Sequence, residues 1–141
     1  MGQQQLLLLV LGIVIVGIAV VAGIQAFSEG KIKAENDAVA AEAMRYASDI
    51  QAWALKPAAF GGGSGALLTT VTWSKIGITS LTASNQYKTA NACYKLDIAT
   101  ASTAKVVGYE LTTACDGLKE IGTVTITGTT TAGVNWAGGA R

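Results

Sequence analysis

LLLLVLGIVIVGIAVVAGIQAF, residues Leu6–Phe27, decides how this chain is built. It carries no charged side chain and stands close to the N-terminus. A helix of this length is about 33 Å long, enough to cross a hydrocarbon core of about 30 Å. A secretory signal peptide has a basic start, a shorter apolar core and a small-x-small cleavage site. Here Met1-Gly2-Gln3-Gln4-Gln5 has no basic side chain. The apolar run also continues without a break into further helix-forming sequence, so no cleavage is expected after it.

Small residues recur inside the run. Ala19 and Gly23 are four apart, as are Ala22 and Ala26, and Gly12 and Gly17 lie further up. Small residues at such spacing let helices approach closely in an apolar medium.

Beyond Phe27 the pattern changes. Ile32, Val39, Tyr46 and Trp53 fall seven apart, and Ala43 and Ile50 fill the same stripe. This is one apolar helical face, expected to pack against a folded head. Glu29, Lys31, Lys33, Glu35, Asp37, Glu42, Arg45 and Asp49 lie mostly off it and read as a solvated face. Lys31–Glu35 and Arg45–Asp49 are (i, i+4) pairs, worth a few tenths of a kcal/mol each. No proline occurs before Pro57, so one helix of roughly 50 residues is predicted. Lys56-Pro57 stops it, and Gly61-Gly62-Gly63-Ser64-Gly65 reads as a flexible turn. That glycine run is no phosphate loop, because no strand precedes it and no Lys-Ser/Thr follows.

The rest is threonine-rich and strand-like. Ala92, Tyr94, Leu96 and Ile98 alternate with Cys93, Lys95 and Asp97, and Val107, Tyr109 and Leu111 alternate with Val106, Gly108 and Glu110. A loop over 100–104 joins them into a hairpin. Ile121–Thr127 is a third strand, after a turn at Asp116-Gly117. Segments 67–73 and 130–136 are weaker candidates. The predicted fold class is therefore α+β. A long N-terminal helix, apolar first and amphipathic after, packs by its second half on a small antiparallel sheet. The predicted organisation is 1–27 apolar helix, 28–56 amphipathic continuation, 57–66 connector and 67–141 β-rich head.

Two cysteines, Cys93 and Cys115, fall in this head. They read either as buried free thiols or as a disulfide. The extracellular look of the surrounding composition favours the disulfide. Folding the hairpin about Ser102 brings Cys93 opposite the neighbourhood of Leu111, a few residues from Cys115.

Composition argues against several functions. There is no histidine, which removes the commonest general base and metal ligand. Charged residues are 13% and the net charge is +1, so no nucleic-acid surface is indicated. Asp116 and Glu120 could share a turn, yet two carboxylates fall short of the ligand set that Ca²⁺ takes. No catalytic site, cofactor or metal is expected, and the protein does not read as an enzyme.

Lys31 and Lys33 follow the apolar run and no cation precedes it, which by the positive-inside rule would leave the head in the cytoplasm. The threonine-rich, cysteine-bearing head argues for the outside. Three resolutions are open: nearby acidic residues weaken the rule, a basic leader preceded this chain, or an export machine lifts the subunit out of the membrane.

This layout resembles the type IV pilin family and its pseudopilin relatives. Members have an uncharged N-terminal helix half, an amphipathic second half, and a sheet-bearing head often stapled by a disulfide. With Met1 as first residue, Gln5 falls where the family usually has a glutamate that meets the N-terminal amine of a neighbour. An amide accepts a hydrogen bond from that amine but does not neutralise it. The family's proline in the apolar segment is absent, and Gly23 stands near its place. The resemblance implies an extracellular helical filament on the cell surface, assembled as a homopolymer through the N-terminal helices. It also implies a membrane-inserted pool and a pilus or secretion assembly machinery as partners. Met1, Gln5, Gly12, Gly17, Ala19 and Gly23 are the expected assembly residues. Alternatives are a type II secretion pseudopilin and a single-pass membrane protein with an extracellular binding head.

Overall fold

The computed structural model describes residues 2–65, 68–82, 85–115 and 119–138. The chain divides into two compact units after Glu35. One helix, α1 (Gly2–Leu55), begins in the first unit and ends in the second.

Within the second unit, α1 stops where Pro57 cannot continue it. The chain then turns back and satisfies the orphan carbonyls of the last helical turn. Gly63 N–H donates to the Trp53 carbonyl at 3.0 Å, Ser64 N–H to that of Lys56 at 3.1 Å, and Gly65 N–H to that of Ala54 at 2.7 Å. The Trp53 indole N–H adds a 2.9 Å bond to the Gly61 carbonyl. So the glycine run, read as a flexible turn, is a pinned return. It needs glycine because a Cβ at Gly62 would sit 2.1 Å from the Lys56 carbonyl oxygen.

The head carries one five-stranded antiparallel sheet in sequence order. Its strands are β1 (Tyr87–Lys88), β2 (Ala92–Thr100), β3 (Thr103–Glu110), β4 (Glu120–Thr127) and β5 (Val134–Gly138). β2 and β3 pair Cys93 with Tyr109 and Leu96 with Val106, and close through Ala101-Ser102. The hairpin loop is thus shorter than the 100–104 segment read from sequence. β4 answers the expected Ile121–Thr127 strand. In segment 67–73 the described residues, 68–73, form no strand: Leu68–Thr70 and Trp73–Ile76 are single 3₁₀ turns, and residue 67 lies outside the described residues. Leu68 opens the first turn and Trp73 the second, and both are buried in the core. In the 130–136 segment, Thr131–Gly133 is also 3₁₀ and only Val134 onward extends. β1 is too short to display a period and was not legible. The Asp116-Gly117 turn lies outside the described residues.

The core lies between α1 and one face of the sheet. Val39, Ala43, Tyr46, Ala47, Ile50, Trp53 and Ala54 cluster with Leu68, Val71, Trp73, Ala92, Tyr94, Ala104, Val106, Ile121, Val124 and Ile126. Alanines on the helix and small residues on β3 let the two layers close. A Cβ on Gly108 would stand 2.7 Å from a Val39 methyl. On β3, Ala104, Val106 and Gly108 face the helix, and Val107 and Tyr109 face the other way. Helix-facing positions need small volume more than hydrophobicity, and the alternation alone did not reveal that.

Candidate functional site

The apolar stretch of the first unit is uncovered. From Leu6 to Phe27 the large apolar side chains are 49% to 78% exposed. The helix is long and apolar enough to cross a membrane, and none of its apolar stretch is buried within the chain. A core helix of the same composition would be covered.

Gln5, Gly12, Gly17, Ala19 and Gly23 are all exposed on it, and Met1 lies outside the described residues. A Cβ at Gly12, Gly17 or Gly23 would meet nothing within 4 Å. The chain's own packing therefore gives no reason for these glycines. At about 100° per residue, Gly12, Ala19, Gly23, Ala26 and Gly30 fall within about 60° of one another around the axis. Gly17 stands about 140° away from Gly12. The helix thus gathers Gly12, Ala19 and Gly23 on one face and leaves Gly17 off it.

In the second unit, Val39, Tyr46, Ile50 and Trp53 are buried in the core, as their stripe requires. Ile32, on the same stripe by spacing, is half-buried, belongs to the first unit and is not part of that cluster.

Between α1 and the β1–β2 corner sits a carboxylate clamp that the sequence reading missed. Glu42 accepts hydrogen bonds from Tyr94 Oη at 2.8 Å, Thr89 Oγ1 at 2.9 Å and Asn91 Nδ2 at 2.5 Å. Glu42 read as one charge of a solvated face. It flanks the apolar stripe, three residues after Val39 and four before Tyr46, and that position was the available signal. Bonds to a charged acceptor are the stronger kind. Glu42→Ala is expected to destabilise the head by about 1–3 kcal/mol. Urea unfolding of the full chain in detergent, against the exposed Asp37→Ala as a surface reference, measures it. Equal midpoints for the two variants would remove the clamp.

Two tyrosines beside the clamp resist ionisation. Burial, and then the Glu42 charge, push the Tyr46 phenol up to about 12. Burial, and then the hydrogen bond to Glu42, raise Tyr94 still further. Both phenols hold their protons more tightly folded than unfolded. Their contribution is complete below pH 10 and is lost as pH climbs through the folded value. Stability is therefore expected to be flat to about pH 9 and to fall between about pH 10 and 12. Thermal unfolding followed across that range checks it. A melting temperature unchanged at pH 12 would refute it.

Cys93 and Cys115 form a disulfide with Cα atoms 5.6 Å apart. Both cysteines are buried, on the sheet face away from the helix, where Cys93 stands beside Tyr109. The bond ties β2 to the segment that follows β3. Glu120 accepts a hydrogen bond from the Thr123 hydroxyl. Asp116, the other carboxylate considered for Ca²⁺, lies outside the described residues. Among the described residues no three His, Cys, Asp or Glu side chains converge on a point.

No protein-family model, no curated protein and no solved structure matches this chain.

Proposed function

We propose that this protein is the structural subunit of an extracellular, type IV pilus-like helical filament, drawn from a membrane-inserted pool. The observation that carries the reading is the uncovered apolar half of α1, continuous with a helical segment buried in a disulfide-closed head. Each aliphatic side chain kept from water contributes roughly 1.5–3 kcal/mol. The apolar half therefore needs lipid or other copies of itself. Exchanging a bilayer for a bundle of identical helices costs little, whereas exchange into water would be prohibitive. The head, closed by a disulfide, suits an oxidising exterior. Association through one helix among like-oriented neighbours is heterologous and open, which gives a filament.

Close packing at the small-residue face predicts that Gly12→Leu and Gly23→Leu each reduce filament yield at least about tenfold, the equivalent of about 1.4 kcal/mol per contact. Ile13→Leu, which keeps the volume, is the reference and should assemble normally. Normal yield from both glycine variants would count against a packed core at that face.

The test of the function itself is electron microscopy of material sheared from producing cells, with intact-mass analysis of the same fraction. Thin filaments of this chain would support the reading. A chain found only in membrane extracts would favour a single-pass membrane protein with an extracellular head.

A further inference from the structure

The head has two ends, and its charge and its exposed apolar groups both divide between them. At one end the close of α1 meets the tip of the β2–β3 hairpin. Gln51 Nε2 donates to the Thr130 carbonyl there at 2.8 Å, and Gly128 N–H to that of Ser102 at 2.9 Å. At the other end Val39 lies against Gly108, and Glu110 N–H donates to the Lys119 carbonyl at 2.9 Å. From Val39 to Leu55 the helix rises about 24 Å. β4, eight residues long, covers a similar distance.

Among the described residues of the second unit, the exposed large apolar side chains are Met44, Leu55, Phe60 and Leu111. Leu55, 60% exposed, and Phe60, 71% exposed, stand where α1 ends. Phe60 belongs to the pinned return after Pro57, and its N–H donates to the Pro57 carbonyl at 3.0 Å. A fixed turn that holds a phenyl ring in water gains free energy when another surface covers the ring. Lys56, between Leu55 and Pro57, also lines a cleft of about 470 Å³ with Arg45, Asp49, Trp53 and Lys75. Lys75 is held 5.2 Å from the Trp53 ring centre and donates to the Thr70 carbonyl at 2.5 Å. Three cations therefore face one carboxylate at this end.

The opposite end has the complementary character. Leu111 is exposed there, beside the carboxylates of Glu110 and Glu120. Asp37 and the clamped Glu42 add negative charge from α1, so carboxylates outnumber the two lysines, Lys88 and Lys119. Lys88 is itself occupied with the Thr113 carbonyl at 2.9 Å.

We propose that heads join end to end. The Leu55–Phe60 turn of one copy docks on the Glu110–Leu111 end of a second, and the cations at Lys56 and Lys75 face the second copy's Glu110 and Glu120. Contact between unlike ends is heterologous and open, so it extends without closing. Like ends would set cation against cation or carboxylate against carboxylate, which is costly. A patch of a few side chains falls short of the roughly 800 Å² that each partner gives to a standard interface. It persists where copies are already gathered, because the effective concentration of heads is then high. The filament reading rests on the helix, and the end-to-end contact adds the heads to it.

The experiment uses the full chain carrying both Ala59→Cys and Lys119→Cys, exposed sites that flank the docking groups without removing them. The native cysteines are paired with each other, so the introduced thiols are the free ones among the described residues. Within one copy the two sites stand at opposite ends, about 24 Å apart, too far to bridge. Producing cells are oxidised, then fractionated into sheared filaments and membranes. A covalent ladder of many subunits is expected in the sheared fraction, with monomers from either single variant. Filaments of the double variant that yield only monomers overturn the contact and leave the filament reading standing. Dimers from a single variant as abundant as the ladder overturn it too. A ladder in membranes, with no filaments even from the wild type, supports the contact and removes the filament reading. No ladder in any fraction overturns the contact.

Charge reversal decides if the thiols themselves prevent assembly. Lys56→Glu and Glu120→Lys should each lower filament yield about tenfold, and the two together should recover to within about threefold of the wild type. Losses that multiply in the double variant overturn the contact.

Discussion

Tyr46→Ala is expected to lower the stability of the head by about 3–5 kcal/mol, the range for emptying a buried aromatic site. Tyr46 is 5% exposed and is the hub of an aromatic cluster. Its ring meets Tyr94 at 5.0 Å, Trp73 at 5.7 Å and Tyr87 at 5.8 Å between centroids, each edge to face. Such pairs contribute about 0.5–1.5 kcal/mol apiece beyond the area they bury. Small domains have only about 5–15 kcal/mol in total, so this change removes a large share. The cluster joins α1 to β1, β2 and the 3₁₀ turn at Trp73, and alanine breaks all of these contacts together. Thermal unfolding of the full chain in detergent, followed by near-ultraviolet circular dichroism, should show a midpoint lower by roughly 15–30 °C. Tyr46→Phe keeps the ring and should lose less than about a quarter of that. A Tyr46→Ala protein that melts within about 5 °C of the parent would show that Tyr46 is not the hub.

The second large effect belongs to the disulfide. Cys93 and Cys115 are 22 residues apart. Closing a loop of that size stabilises the folded state by about 3 kcal/mol in the chain-entropy model. Cys93→Ala combined with Cys115→Ala should lower the melting temperature by roughly 10–20 °C, and reduction of the parent should do the same. Reduction of the double variant should then change nothing. A reductant that shifts both proteins equally would locate its effect elsewhere. The loss concentrates on the sheet face away from α1, because both cysteines are buried there and neither belongs to the helix-side core. The helix-side cluster around Tyr46 should therefore keep its near-ultraviolet signal until the head opens as a whole.

Much of this fold could be read from the residues because the helical signals are long. The uncharged run to Phe27, the seven-residue recurrence of Val39, Tyr46 and Trp53, and the stop at Pro57 each rest on several positions. The strong strands were legible for the same reason, since β2, β3 and β4 each show a period over eight or nine residues. What escaped was set by tertiary contact. Tyr87–Lys88 is a strand only because β2 lies beside it. Leu68 and Trp73 are apolar in a pattern that suits a short strand equally well, and the need to bury them in separate turns decided the outcome. Position 108 takes glycine because a Val39 methyl occupies the space a Cβ would need, a fact no local window contains. Glu42 looked like one more solvated carboxylate until Thr89, Asn91 and Tyr94 arrived from a distant part of the chain. The small residues of the first unit were legible as exceptions in an apolar run. Their division between two faces required the helix to be regular throughout.

The bond between Cys93 and Cys115 also governs what happens when the head is stretched. Tension entering through α1 and leaving through β5 follows the shortest covalent path, which crosses from residue 93 to residue 115 through sulfur. The β2–β3 hairpin is bypassed. Roughly 20 residues, on the order of 70 Å when drawn out, stay out of reach of the pull. A reducing environment releases that slack, so the redox state sets how far a pulled head can lengthen as well as how readily it opens.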